Sequence, residues 1–295
     1  MKMRVCSLSW IIAGFMVVWQ ARWFRPLAFA HSEAYISPSC QAAALGSNPG
    51  EDDLAKCKRS LPVYMLKAAR GDRRQALQRW AQTLRWRCQI DDDGIVSRPN
   101  PNYFRIQPHY PTYLHLPDKE GRTTYWELLG RIDMAGLHRE GITVDDIREN
   151  YVWQTLFTWD VWLKRDGAAE GTIIVDMQGF SLSMLTPRLI QMFVRTSSLI
   201  QRHFPEREHV LIVINAPEWW GRMYDLFGPL FPESQRQKLR VCVDKDKSLQ
   251  TLTEFIDVRN IPRVYGGTGD PLGSAPADVL KRKLAAKGMQ PSRKP

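Results

Sequence analysis

Two hydrophobic rhythms alternate through the second half of this chain. Short unbroken apolar runs stand at 171–179 (GTIIVDMQG), 209–215 (HVLIVIN) and 238–244 (KLRVCVD). Between and after them, at about 187–203, 218–230 and 248–257, apolar residues recur every three or four positions. A continuous Ile/Val run predicts a strand buried on both faces, and a three-to-four spacing predicts a helix that buries one. Their alternation predicts an α/β fold with a mostly parallel sheet covered by helices.

Upstream the pattern changes. TYLHL and TTYWELL flank PDKEG, which predicts a hairpin turning at Gly121. Thr143 to Asp146 opens a helix as a capping box with Asp in the place of the usual Glu, and Val144, Ile147, Tyr151, Thr155, Trp159 and Trp162 follow one face. Earlier still, Leu77, Trp80, Ala81, Leu84 and Cys88 take helical spacing with arginines opposite. The chain therefore divides into a hydrophobic targeting or anchor-like segment (1–30), a poorly ordered linker (31–60), an N-terminal helical unit (61–104), the α/β domain (105–268) and a basic tail (269–295). In the first segment, basic residues precede the apolar Ile11 to Trp19, and Ala28 to Ala30 resembles a cleavage site. That run is short of the ~20 residues of a transmembrane helix, so signal peptide, surface anchor and transit segment all remain open.

Charge narrows the partner. The 295 residues carry a formal +10 with a pI near 9.5, which favours nucleic acid, an anionic lipid surface or a phosphorylated ligand. No basic stripe with stacking aromatics and no reader motif is present, which argues against nucleic acid. The five cysteines (Cys6, Cys40, Cys57, Cys88 and Cys242) lack CxxC or ligand spacing and read as reduced thiols, although Cys40 and Cys57 could pair in a secreted chain. GxGxxG, GxxxxGK[ST] and HExxH are absent, and GFSLS at 179–183 ends on Ser183 where a nucleophile elbow needs glycine. The expectation is a protein that is not an enzyme, with no catalytic residue, metal or cofactor.

After Asn215 comes the most aromatic helix. Trp219, Trp220, Met223, Phe227, Leu230 and Phe231 recur on one side, and Glu218, Arg222 and Asp225 on the other. Pro217 suits its first turn, and Gly228-Pro229 interrupts it. Periodicity alone says core. The tryptophan load also suits a bilayer interface, as in a movable helix that covers an apolar cavity.

The stretch FPEREHVLIVINAPEWWGRMYDLFGPLFPESQRQKL resembles the core signature of the CRAL-TRIO lipid-binding family, which includes the Sec-fourteen-like phosphatidylinositol transfer proteins. LPVYMLKAARGDRRQALQRWAQTLRWR resembles the family's N-terminal helical unit. DKEGRTTYWELLGRIDMAGL, GTIIVDMQGFSL and IPRVYGG resemble its hairpin, central strand and closing segment. These motifs stand in the family's order over 61–267.

The resemblance implies a pocket that holds one lipid, floored by the sheet at Ile174, Ile212 and Ile214. It implies a gating helix that meets the membrane through the six aromatic and apolar residues from Trp219 to Phe231. By position it implies headgroup contacts at Glu206, Lys238 and Arg70, with Gln235 beside the lysine and Tyr125 at the phosphate. Gly171 and Ile173 stand where members that also hold phosphatidylcholine carry hydroxyls, which makes that lipid the doubtful ligand. The implied ligand is phosphatidylinositol or a related lipid, extracted, exchanged or presented between membranes. A tocopherol, retinoid or sterol carrier and a lipid-sensing module without net transfer stay open. The expected setting is cytoplasmic and peripheral to a membrane surface, with a lipid kinase as a candidate partner.

Overall fold

The computed structural model describes residues 60–227 and 236–288. The N-terminal segment, the linker and part of the aromatic helix's continuation lie outside them, as do Leu230, Phe231 and Gln235. The described helices are α1 (Val63–Ala68), α2 (Arg73–Gln89), α3 (Asp92–Ile95), α4 (Pro101–Ile106), α5 (Met134–Arg139), α6 (Val144–Leu156), α7 (Pro187–His203), α8 (Glu218–Phe227), α9 (Lys245–Phe255) and α10 (Pro276–Lys287). Five strands, β1 (Thr112–His115), β2 (Thr124–Glu127), β3 (Gly171–Asp176), β4 (Glu208–Ile214) and β5 (Leu239–Val241), form one sheet in sequence order. β1 and β2 are the expected antiparallel hairpin, and β2 to β5 run parallel. Gly121 turns the hairpin at φ +82°, a conformation glycine adopts without a steric cost.

Local signals hold where they were strong. Thr143 and Asp146 cap α6 reciprocally, so Asp substitutes for Glu in the box. Asp72 caps α2, and Thr186 with Pro187 starts α7. One departure follows α6: Phe157–Trp162 winds as a π-helix, and Trp162 Nε1 donates to Thr123 Oγ1 at 3.2 Å. Cys88 is disulfide-bonded, against the expectation of reduced thiols, and Cys242 is a buried free thiol.

The two faces of the sheet are covered differently. On one face Val175, Leu211 and Val213 pack with Ile147 of α6, Leu189 and Met192 of α7 and Trp220 of α8. On the other, Trp126, Ile174, Ile212 and Ile214 pack with Leu252 of α9, Ile256 and Ile261. Adjacent strand residues point to opposite faces, so the expected floor at Ile174, Ile212 and Ile214 belongs to the second face, away from the cavity that Ile173 lines.

Nor are residues 269–295 simply a basic tail. Residues 276–287 fold as α10 along the edge strand β1. Asp278 Oδ1 accepts from Leu114 N at 3.0 Å, and Lys281 Nζ donates to Thr112 O at 3.3 Å. An edge strand exposes unpaired backbone groups, and these two side chains satisfy two of them.

β4 ends at Asn215, which adopts φ +52°. Asparagine tolerates this left-handed conformation better than most residues. Its Nδ2 donates to Asp176 Oδ1 at 2.8 Å, and Tyr265 Oη donates to Asp176 Oδ2 at 2.9 Å, tying the ends of β3 and β4 to the closing segment.

Candidate functional site

Three consecutive charged residues enter β4 and face three ways. Glu206, at φ +55°, pairs with Lys238 at 3.1 Å, and both side chains are about one-third exposed. Lys238 Nζ also donates to the Glu208 carbonyl at 3.0 Å, which fixes the lysine against the start of β4. Arg207 turns inward and is 5% exposed. Its guanidinium lies between the rings of Tyr64 (4.1 Å) and Trp159 (4.5 Å) and donates to the carbonyls of Asp166 and Ala169. Glu208 faces a cavity on the first face of the sheet.

Next to this pair stands a second ionic contact. Lys67 of α1 donates to Glu170 at 2.7 Å, and His209 lies 3.7 Å from the same carboxylate. Burial works against ionisation of Glu170, but the Lys67 hydrogen bond and positive charge outweigh it, and Lys238 adds to the effect. Arg70 does not join this group. It sits exposed on the left-handed turn after α1, at φ +56°, and no ion pair among the described residues links its side chain to Glu206 or Glu170. Lys67, one helical turn earlier, is the N-terminal cation that reaches the charge cluster.

The cavity has a volume of about 80 Å³ and lies under α6, α7 and α10. Leu114, Tyr125, Trp159, Ile173, Ile200 and Phe204 give it apolar walls. Tyr151, Gln154 and Glu208 bring polar groups, together with Lys281 of α10. Burial pushes the Glu208 carboxyl up to about 7; Lys238 opposes the rise and Glu206 adds to it. Burial also raises Tyr151, with Glu127 and Glu208 contributing. Lys281 is 1% exposed and pairs with Asp278 at 2.9 Å. Beneath the cavity, Tyr110 Oη donates to Glu127 Oε1 at 2.5 Å.

The expected residues are thus distributed. Glu206 and Lys238 come together. Tyr125 lines the cavity, with its hydroxyl itself buried. Trp220 is 2% exposed and belongs to the core, which corrects its expected place among the membrane contacts, because its position on α8 turns it into the sheet. Trp219 is only partly buried and packs on Phe180, with ring centroids 6.3 Å apart. Met223 and Phe227 lie in the last turns of α8. Among the described residues no helix is long and apolar enough to cross a membrane, and no group of three or more His, Cys, Asp or Glu is placed to hold a metal ion.

The model of the CRAL/TRIO domain matches residues 107–267, more than half of the chain. The chain belongs to the CRAL/TRIO family. The matched region starts at the end of α4 and closes after Tyr265, so α1, α2 and α10 flank the CRAL/TRIO domain. A curated relative from Arabidopsis thaliana, "Phosphatidylinositol/phosphatidylcholine transfer protein SFH7", is 26% identical over 226 residues, covering 74% of this chain and 40% of the relative. The "SEC14 cytosolic factor" of Candida glabrata is 24% identical over 261 residues, covering 78% and 84%. The chain spans about two-fifths of the length of the Arabidopsis relative. Among solved structures, a crystal structure of Sfh5 aligns with a TM-score of 0.49 at 18% identity, over 63% of this chain and 66% of that one.

Sequence reasoning missed Lys67, Tyr151, Gln154, Glu208 and Lys281. Tyr151 was visible on the apolar face of α6. Glu208 carried a signal too, as an acid placed between the FPER motif and a run of buried residues.

Proposed function

We propose that this chain binds a phosphoinositide and moves it between membranes, with Glu206 and Lys238 at the headgroup and no reaction catalysed. The observation that carries this reading is the Glu206–Lys238 pair, held about one-third exposed at the entry of β4, beside a mainly apolar cavity. An ammonium donates to a phosphodiester, and a carboxylate accepts from ring hydroxyls, so one pair serves both parts of an inositol phosphate. The Arabidopsis relative's name, a phosphatidylinositol/phosphatidylcholine transfer protein, supports a phospholipid of this class.

The cavity of about 80 Å³ is far below the roughly 300–1,000 Å³ of ligand pockets. Acyl chains therefore enter by displacing helices from the sheet, and α8, with Trp219 at its surface, is the element proposed to move. Burial of each methylene stabilises the complex by about 0.8 kcal/mol, and a bilayer offers nearly the same environment. Exchange is close to balanced, and the headgroup contacts choose the lipid. Phosphatidylcholine is disfavoured because Gly171 and Ile173 supply no hydroxyl. The protein works at a membrane surface as a peripheral cytoplasmic carrier, and a lipid kinase is the partner class that would use a presented headgroup.

The test is transfer of phosphatidylinositol between two vesicle populations. Glu206→Ala combined with Lys238→Ala abolishes transfer while the circular dichroism spectrum stays that of the parent. Undiminished transfer by this variant removes the headgroup assignment. Binding without net transfer by the parent makes the protein a sensor. A tocopherol, retinoid or sterol as the lipid co-purified with the parent, identified by mass spectrometry, replaces the phosphoinositide.

A further inference from the structure

We propose that Glu208 and Tyr151 form a subsite for a hydroxyl group of the bound lipid, in the cavity that both line. The proposal rests on the lipid-binding reading above but uses neither member of the headgroup pair.

The first observation is how Glu208 comes to face inward. β3 and β4 pair Gly171 with Glu208 and then Thr172 with Val210, so the register shifts and His209 is the extra residue. Leu211 and Val213 face the cavity side of the sheet. Strict alternation from them would send His209 inward and Glu208 outward. The bulge reverses this: Glu208 lines the cavity, and His209 lies beside Glu170 and Phe255. Bulges re-aim single side chains next to functional sites. Across the ladder stands Gly171, which places no side chain opposite the carboxyl.

The second observation is that the carboxyl is left without a hydrogen bond. Among the described residues, neither the Glu208 carboxyl nor the Tyr151 hydroxyl has such a partner, and both line the same cavity. The cations lining the cavity are committed elsewhere. Lys281 donates to Asp278, Gln154 and the Thr112 carbonyl. Arg207 is held by two carbonyls between two rings. The two groups line the cavity half-buried and without an internal partner, so a ligand group that satisfies both is favoured over one that satisfies neither.

A hydroxyl fits because it donates and accepts at once. It donates to the Glu208 carboxylate and accepts from the Tyr151 hydroxyl. An ether oxygen lacks the proton for the carboxylate. A phosphate or carboxylate would bring a second anion beside Glu208 with no uncommitted cation to receive it. The volume of about 80 Å³ admits an alcohol terminus with a few carbons. The hydroxyl can belong to a neutral lipid alcohol or to an inositol ring.

The full chain is equilibrated with hexadecanol or with hexadecyl methyl ether, separated by gel filtration, and the retained probe is quantified by mass spectrometry. In parallel, uptake of phosphatidylinositol and of phosphatidic acid from vesicles is measured. The parent retains hexadecanol roughly tenfold over the ether, the size of one hydrogen bond to a charged group. Glu208→Leu brings the two probes towards parity, while Glu208→Gln, which keeps an acceptor, preserves the preference; Tyr151→Phe, which removes a donor that serves both probes, lowers the retention of each. Thermal unfolding identifies the variants that remain folded; if Glu208→Leu does not fold, the fall in hexadecanol retention by Tyr151→Phe decides. Loss of alcohol preference with phosphatidylinositol uptake intact assigns the subsite to a neutral lipid alcohol. Loss of the preference for phosphatidylinositol over phosphatidic acid assigns it to the inositol ring. Equal retention of alcohol and ether by the parent, with both variants taking up phosphatidylinositol like the parent, overturns the proposal. A parent that takes up no phosphatidylinositol removes the phosphoinositide reading alone, because the alcohol and ether comparison still decides this one.

Discussion

The two faces of one sheet have opposite characters, although they are built from alternate residues of the same strands. Towards α9, Trp126, Ile174, Ile212 and Ile214 are fully buried in an apolar layer. Towards α6, α7 and α10, Tyr125 and Ile173 share a cavity with Tyr151, Glu208 and Lys281. The first face supplies stability through close packing. The second gives up part of that packing to hold polar groups inside. A single step along a strand therefore separates a residue that holds the fold together from one that lines the cavity.

The sharpest way to break this contrast is to disturb the charge balance under the cavity. Lys281→Met leaves the Asp278 carboxylate buried without its close cation, and urea unfolding should show a loss of about 3–5 kcal/mol. Adding Asp278→Asn should recover much of it, whereas an equal loss in the double variant would show that Lys281 acts by packing. Next, truncation should separate the faces. Ile212→Ala is expected to cost about 2–5 kcal/mol on the dry face. Ile173→Ala, beside a void that already exists, should cost about 1 kcal/mol in the same assay. Equal costs would erase the distinction between the faces.

A smaller effect is expected from pH. Glu208 rises from an ordinary value of 4.5 to about 7 on folding, so between these values the folded state binds more protons than the unfolded one. Its contribution is fully favourable below 4.5 and is lost as pH rises through 7. Lys238, Glu206 and Tyr151 act on this group, and Lys281 and Arg207 share its cavity. Glu208→Gln should flatten the decline in stability between pH 5 and 8, and at pH 8 exceed the parent by on the order of 2 kcal/mol. A parent and variant with parallel profiles would place the carboxyl in solvent.

Much of the architecture was legible because its causes are local. The unbroken run VLIVI can only be a buried strand, and Thr143 with Asp146 forms its capping box within four residues. The faces were not legible for the same reason the strands were. A run that is apolar at every position carries no alternation, so nothing in it distinguishes Ile212 from Leu211. Of the site, Glu206 and Lys238 could be carried over by motif because both belong to the quoted signature. Glu208 could not, since its aim depends on a bulge set by pairing with β3, 37 residues earlier at Gly171. Lys281 looked solvated in a stretch rich in lysine and arginine. Its acceptors on β1 and α6 become neighbours only when the chain folds. Arg70 and Lys67 are one helical turn apart, and only the turn after α1 decides which reaches Glu170.

Arg207 has a wider consequence. Its neighbours Glu206 and Glu208 turn to Lys238 and to the cavity, while its own guanidinium is clasped by Tyr64 from α1. The segment that carries both acids is therefore pinned to the N-terminal helices through Tyr64 as well as to the chain before β3 through the Asp166 and Ala169 carbonyls, so the two parts of the chain are joined where the acids diverge.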